Sequence, residues 1–362
     1  MKALTIGGAT LDTIIEYEQM ETMEIQKPHT KQSYLLLEEG AKIEVTDQKC
    51  FSGGGATNAA VSLQKLGFNV RFFGKVGKDN IGKSLLEELK SQGVDTSIVR
   101  YSSHYGTATS YVVPSLKGDR TIFAYRGANR DLLTEDLPVA AIEEADFVYV
   151  TSLSKASAAQ LPQIVKLAKA CSTKVAINPG YSQLEVGSSF ILEALSGIDI
   201  LIMNYQEAQK LMSSLLSCED NLTSETAMDH HQNLLQAQPV YQDSFFSLKT
   251  FFQKALNLGP RIVVVTDGSE GVYVATEKKM YFHPALNIDN VINTLGAGDA
   301  FGSSFCGAIY AGENVRTAIY YGLINSASVI QYHDAKTGLL DKATITAKIA
   351  DLPDTLSIVE WY

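Results

Sequence analysis

Three small residues, Gly296, Ala297 and Gly298, are followed at once by an acid, Asp299, in the stretch Asn293-Thr294-Leu295-Gly296-Ala297-Gly298-Asp299-Ala300-Phe301. Without bulky side chains, successive main-chain N–H groups can converge on an anion. A helix beginning there, built from the small residues of 302–310, adds the favourable end of its dipole. By position alone Asp299 is an ordinary first-turn acid or cap. Beside an anion hole, the same carboxylate suits a general base that takes a hydroxyl proton while the N–H groups stabilise a transferring phosphoryl group.

Other residues could serve the same reaction. Ser52-Gly53-Gly54-Gly55-Ala56-Thr57-Asn58 opens a helix that ends at Leu66-Gly67; three glycines cost backbone entropy and mark a tight turn or a backbone closely approached. Asp12 follows the first strand, at the carboxyl end where open α/β sheets bind ligands, or is a turn acid after Thr10 and Leu11. Asn204 and Glu207, three apart after a strand over 198–203, can orient water around Mg2+ and phosphate, or simply cap a helix. Thr266-Asp267-Gly268-Ser269-Glu270-Gly271 reads by default as a hairpin turn.

The stretch ending in Gly296-Ala297-Gly298-Asp299 resembles the C-terminal signature of the PfkB family of ribokinase-like carbohydrate kinases, and Gly53-Gly54 with Asn58 resembles the N-terminal one. The resemblance extends from residue 6 to about 340. It implies a kinase that uses ATP and Mg2+, with Asp299 as catalytic base and Gly296, Ala297 and Gly298 as the anion hole. Asp12, Gly53, Gly54, Gly55, Asn58 and Asn129 are implied at the substrate; Thr266, Gly268 and Gly271 at the ATP phosphates and ribose; Asn325 at the adenine; and Asn204 and Glu207 at phosphate and metal, Glu207 through water. Asn293 stands where the family usually has an Asp that helps ligate a monovalent cation; it keeps an oxygen but loses the charge. Gly55 replaces a Lys frequent in ribokinases, and the position of their substrate-binding Glu falls near Ser154, so the acceptor stays open between a sugar and a nucleoside. A sugar phosphate is less favoured because no Lys/Arg cluster is evident near the lid strands, Arg120, Arg126 and Arg130 being the exceptions. A nonenzymatic sugar or nucleotide sensor on the same fold is the rival of another class; the presence of Asp299 favours the enzyme.

Short apolar runs alternate with helical patterns: 3–6, then 58–67, 70–75 and 81–92, and later 145–151 with 156–170, 174–178 with 189–195, and 198–203 with 206–216. This rhythm predicts a doubly wound α/β three-layer sandwich with a mostly parallel sheet, carried by one domain over 1–362. Segments 14–45 and 104–125 break it with alternating apolar residues, as antiparallel strands of a small β-rich lid or an edge covered by a second subunit, giving a homodimer through the lid strands. Residues 213–243, polar and Gln-rich, read as a surface insertion; its adjacent His230 and His231 point to different helix faces and complete no metal spacing.

The chain has 362 residues, 45% hydrophobic and 19% charged, enough to bury a large core. A net charge of −10 opposes nucleic-acid binding. No apolar run is long enough to span a membrane, no secretion signal is visible, and Cys50, Cys171, Cys218 and Cys306 are too scattered for a zinc site or disulfide scaffold, so a cytoplasmic protein is expected.

Overall fold

The computed structural model describes residues 1–16, 21–27, 30–114, 120–215, 238–241, 244–352 and 358–361. Among these, nine strands form one sheet in the order Val359–Trp361, Met280–His283, Val272–Thr276, Ile262–Thr266, Ile200–Asn204, Lys174–Asn178, Phe147–Thr151, Lys2–Ile6, Asn69–Phe73. From Asn69–Phe73 to Ile262–Thr266 every pairing is parallel; beyond that the edge turns antiparallel. The central strands are apolar throughout because both of their faces are covered. Phe147 and Tyr149 enter a core shared with Gly55–Lys65, Ala297–Tyr310 and Val315–Val329, whereas Val148 and Val150 enter one shared with Leu161–Ala170, Tyr181–Ala194, Tyr205–Leu215 and Leu248–Asn257. This is the doubly wound arrangement expected, with the helix expected at 189–195 running over Tyr181–Ala194.

The lid is a second sheet, ordered Arg120–Tyr125, Ala108–Pro114, Thr10–Glu16, Asp47–Gly53. Its centre corrects the expectation of antiparallel strands: Thr10–Glu16 and Ala108–Pro114 run parallel, since each belongs to a separate excursion of the chain. The fourth strand, Asp47–Gly53, lies beyond the segment 14–45, which instead holds a separate hairpin, Glu21–Lys27 with Thr30–Leu36. Within 213–243, residues 213–215 finish the helix Tyr205–Leu215 and Gln238–Tyr241 pairs with Ser244–Phe246; His230 and His231 lie outside the described residues. No helix among the described residues is long and apolar enough to cross a membrane.

Candidate active site

Two helices that begin at glycine turns place the chemistry. Gly54, at φ 101°, precedes Gly55–Lys65, and Gly296, at φ 79°, precedes Ala297–Tyr310; only glycine holds these left-handed conformations without strain. The helices meet in two rungs one turn apart. Asn58 Nδ2 donates to Asp299 Oδ2 at 2.8 Å, and Ser303 Oγ donates to Ser62 Oγ at 2.7 Å. Asn58 is buried and its Oδ1 has no partner among the described residues, leaving an acceptor available beside the carboxylate. Burial pushes the Asp299 carboxyl above the usual carboxylate range; the Asn58 hydrogen bond opposes the rise, the Asp12 charge adds to it and the Lys336 charge opposes it.

The second carboxylate comes from the lid. Register places Asp12, Ser110 and Ala124 in one row across the sheet, and Ser110 Oγ donates to Asp12 Oδ1 at 2.5 Å. Gly53 ends the neighbouring strand, and a Cβ there would collide with the Asp12 carboxylate. A Cβ on Gly55 would lie 3.1 Å from Asp299 Oδ1. The glycine run therefore lies between two acids and leaves room for both. Asn129 is differently used: its amide accepts from Ala9 N at 3.1 Å and donates to Ala9 O at 3.0 Å, so it clamps the turn before Asp12.

A cavity of about 460 Å³ opens on the other side of the anion-hole turn. Thr266, Gly268 and Gly271 line it with Thr294, Ala297 and Gly298, at a helix start whose first N–H groups lack helical partners. Its far wall is apolar, with Val272, Leu286, Phe301 and Leu323, which suits a flat heteroaromatic ring. Asn325 is corrected: it is fully buried away from this cavity, donating to Ser304 Oγ at 2.6 Å and accepting from Leu340 N at 2.8 Å, while Leu323, Ser326 and Ala327 of the same helix line the wall.

Asn204 and Glu207 form the reciprocal cap that was one of their two readings. Glu207 N donates to Asn204 Oδ1 at 2.9 Å and Asn204 N to Glu207 Oε2 at 2.8 Å. Burial pushes the Glu207 carboxyl up to about 7. A carboxyl so engaged fits a Mg2+ ion only through water, and among the described residues no cluster of three metal-ligating side chains exists. At Asn293, Leu295 N donates to Oδ1 at 3.0 Å and Nδ2 donates to His333 O at 2.9 Å, so both ends of the neutral amide are engaged within the protein and its N–H group is turned to a neighbouring carbonyl.

Residues 28–342 match the family model of the pfkB family carbohydrate kinases. The chain belongs to this family. As a pfkB carbohydrate kinase it is a sugar kinase, a phosphotransferase. It is 28% identical to the ribokinase of Staphylococcus aureus over 81% of this chain and 86% of that protein. It is also 28% identical to the ATP-dependent ribose-1-phosphate kinase of Halopiger xanaduensis, over 79% of this chain and 82% of that one. The Arabidopsis thaliana ribokinase, solved with ribose and ATP, superposes with a TM-score of 0.73 at 21% identity, covering 97% of this chain and 99% of that one.

In this pfkB kinase the fold also gathers cations that no local motif announces. Arg120 of the lid donates to Thr294 Oγ1, at the mouth of the cavity, at 2.6 Å. The charge of Arg126 opposes the rise at Asp12, and that of buried Lys336 opposes it at both carboxylates. Arg120 and Arg126, two of the three arginines singled out near the lid strands, thus lie close to the site, joined by Lys336 from a separate segment. Arg130 lies over the Tyr105 ring at 5.1 Å.

Proposed function

We propose that this sugar kinase transfers the γ-phosphoryl group of ATP to a hydroxyl of a sugar or sugar-containing acceptor, with Asp299 as general base. The reading rests on one observation: Asp12 and Asp299 flank the glycine run Gly53–Gly55, and Asn58, which holds Asp299, keeps an amide oxygen unpartnered among the described residues. Asp299, held by Asn58, accepts the proton of the attacking hydroxyl, and its raised affinity for protons makes it a stronger base than an exposed carboxylate. Asp12, fixed by Ser110, accepts from a second hydroxyl and orients the ring. ATP with Mg2+, when bound, supplies the phosphoryl group. The N–H groups from Ala297 onward stabilise its charge, and the apolar wall of Val272, Leu286 and Phe301 takes the base. The donors at Asn293 do not fit a monovalent cation, and no step is assigned to one.

The approach of Arg120 and Arg126 favours a second reading of the acceptor, a sugar that already carries a phosphate. ADP release measured across neutral sugars, sugar phosphates and nucleosides separates these acceptors. Asp299→Asn should lower kcat by at least about 1000-fold while ATP affinity stays within a few-fold. Retained turnover would remove Asp299 from the mechanism, and ADP release with no acceptor in the panel would favour a sensor.

A further inference from the structure

Lys336 is a buried cation whose direct ion pair is with a half-exposed acid. Its Nζ donates to Ser52 Oγ at 2.5 Å and lies 3.6 Å from Glu88 Oε1, to which Ser52 Oγ also donates. The Glu88 side chain is 43% exposed and that of Lys336 only 8%, so the pair cannot by itself offset the burial of the ammonium. The loop that carries Lys336 is fixed: Asp334 Oδ1 accepts the N–H groups of Lys336 and Thr337 at 2.8 Å each, and Ala335 packs against Gly296. Ala335, the residue before Lys336, thus abuts the turn at Gly296. Its ammonium ends one residue before Gly53, the glycine beneath the Asp12 carboxylate.

We infer that Lys336 is a positioning residue for phosphoryl transfer, a fixed charge beside the glycine run that lets the two carboxylates flanking it share one cleft. The inference rests on Asp299 being the base. Two acids at close quarters raise each other's affinity for protons, and Lys336 opposes the rise at both. The other groups facing Asp299 are Asn58, which donates to it, and Glu207 and Tyr149, whose charged forms would repel it. Facing Asp12 are Ser110 and Arg126; facing Lys336, besides the two acids, are Glu88 and Asp334. Arg126 follows the lid strand Arg120–Tyr125, whereas Lys336 belongs to the body. A lysine at 336 is therefore the cation that stays with the base whatever the lid does.

The test is carboxyl-carbon NMR of the protein labelled with carbon-13 aspartate, without nucleotide, Asp299 being identified by the signal lost in Asp299→Asn. Lys336→Met should raise the Asp299 midpoint by about one pH unit and carry the acid limb of kcat with it, so that turnover below the limb falls about tenfold. Lys336→Arg should restore both. Glu88→Gln, on the exposed side of Asn80–Ser91, leaves the Lys336 charge less neutralised and should move the midpoint the other way. Unmoved midpoints in Lys336→Met and Glu88→Gln overturn the inference, and if Lys336→Met does not fold, Glu88→Gln alone decides. The turnover of Asp299→Asn judges the base assignment separately.

Discussion

Gly53 has no room for a side chain because the Asp12 carboxylate covers it, and that makes it the most exacting position of the proposed substrate site. Gly53→Ala should push Asp12 out of place and raise the KM for the acceptor about 100-fold, with ATP affinity unchanged, as steady-state kinetics with each substrate varied in turn will show. Glu207 gives a stability prediction. Its carboxyl sits at about 7 when folded against 4.5 unfolded, because burial disfavours the ion. The folded state is favoured below pH 4.5 and loses that advantage as pH rises through 7, by on the order of 3 kcal/mol. Urea unfolding in chelator at pH 5 and pH 8 should show this loss, and Glu207→Gln should flatten it. At this scale the sequence is legible where function is local. Asp12, Asn58 and Asp299 stand in or beside glycine-rich turns, whose cost in backbone entropy is itself a signal. Asn325 misleads because an amide that ties core helices together has the same one-dimensional appearance as one that meets a ligand. Lys336 is silent because its partners, Ser52 and Glu88, are more than two hundred residues away.

Alternation of apolar residues revealed the lid as strands but not how they pair. The parallel join of Thr10–Glu16 to Ala108–Pro114 links segments nearly a hundred residues apart, and no periodicity encodes such a partner. The pairing decides which lid residues can matter. Ile122 and Val112 lie on the same face as Ala124, Ser110 and Asp12, yet Ile122 is 45% exposed. It is thus a partly exposed apolar side chain on the face of the sheet that carries Asp12. Hydrogen exchange in Ala108–Pro114 and Arg120–Tyr125 should slow when acceptor and a nonhydrolysable ATP analogue are both present, because a closed lid keeps water from the transferring group. Ile122→Ser should raise the acceptor KM about tenfold, the burial of one aliphatic side chain, with kcat nearly kept. Exchange that stays the same on ligand binding would mean a fixed sheet and no gate.

The opposite face of the lid carries Tyr111 and Phe123, each about half exposed, and the hairpin beyond it shows Met23, Ile25, Tyr34 and Leu36 on one side. Apolar edges of this kind are ordinarily covered, and we propose that a second copy of the chain covers this one. Sedimentation equilibrium should find a dimer, and Phe123→Glu a monomer; a monomeric parent protein at about 100 μM would refute the cover. The α/β rhythm was readable over most of the chain because buried parallel strands are continuous apolar runs, whereas the assembly of the site was not, since it arises from the way distant parts of the chain come together. Asp12 lies near one end, Gly53–Asn58 follows, and Asp299 and Lys336 come close to the other. A growing polypeptide on the ribosome consequently carries Asp12 and the glycine run long before it carries Gly296, Asp299 and Lys336, on which the proposed reaction depends. On the proposed mechanism, every shortened product that stops before Asp299 should be inert.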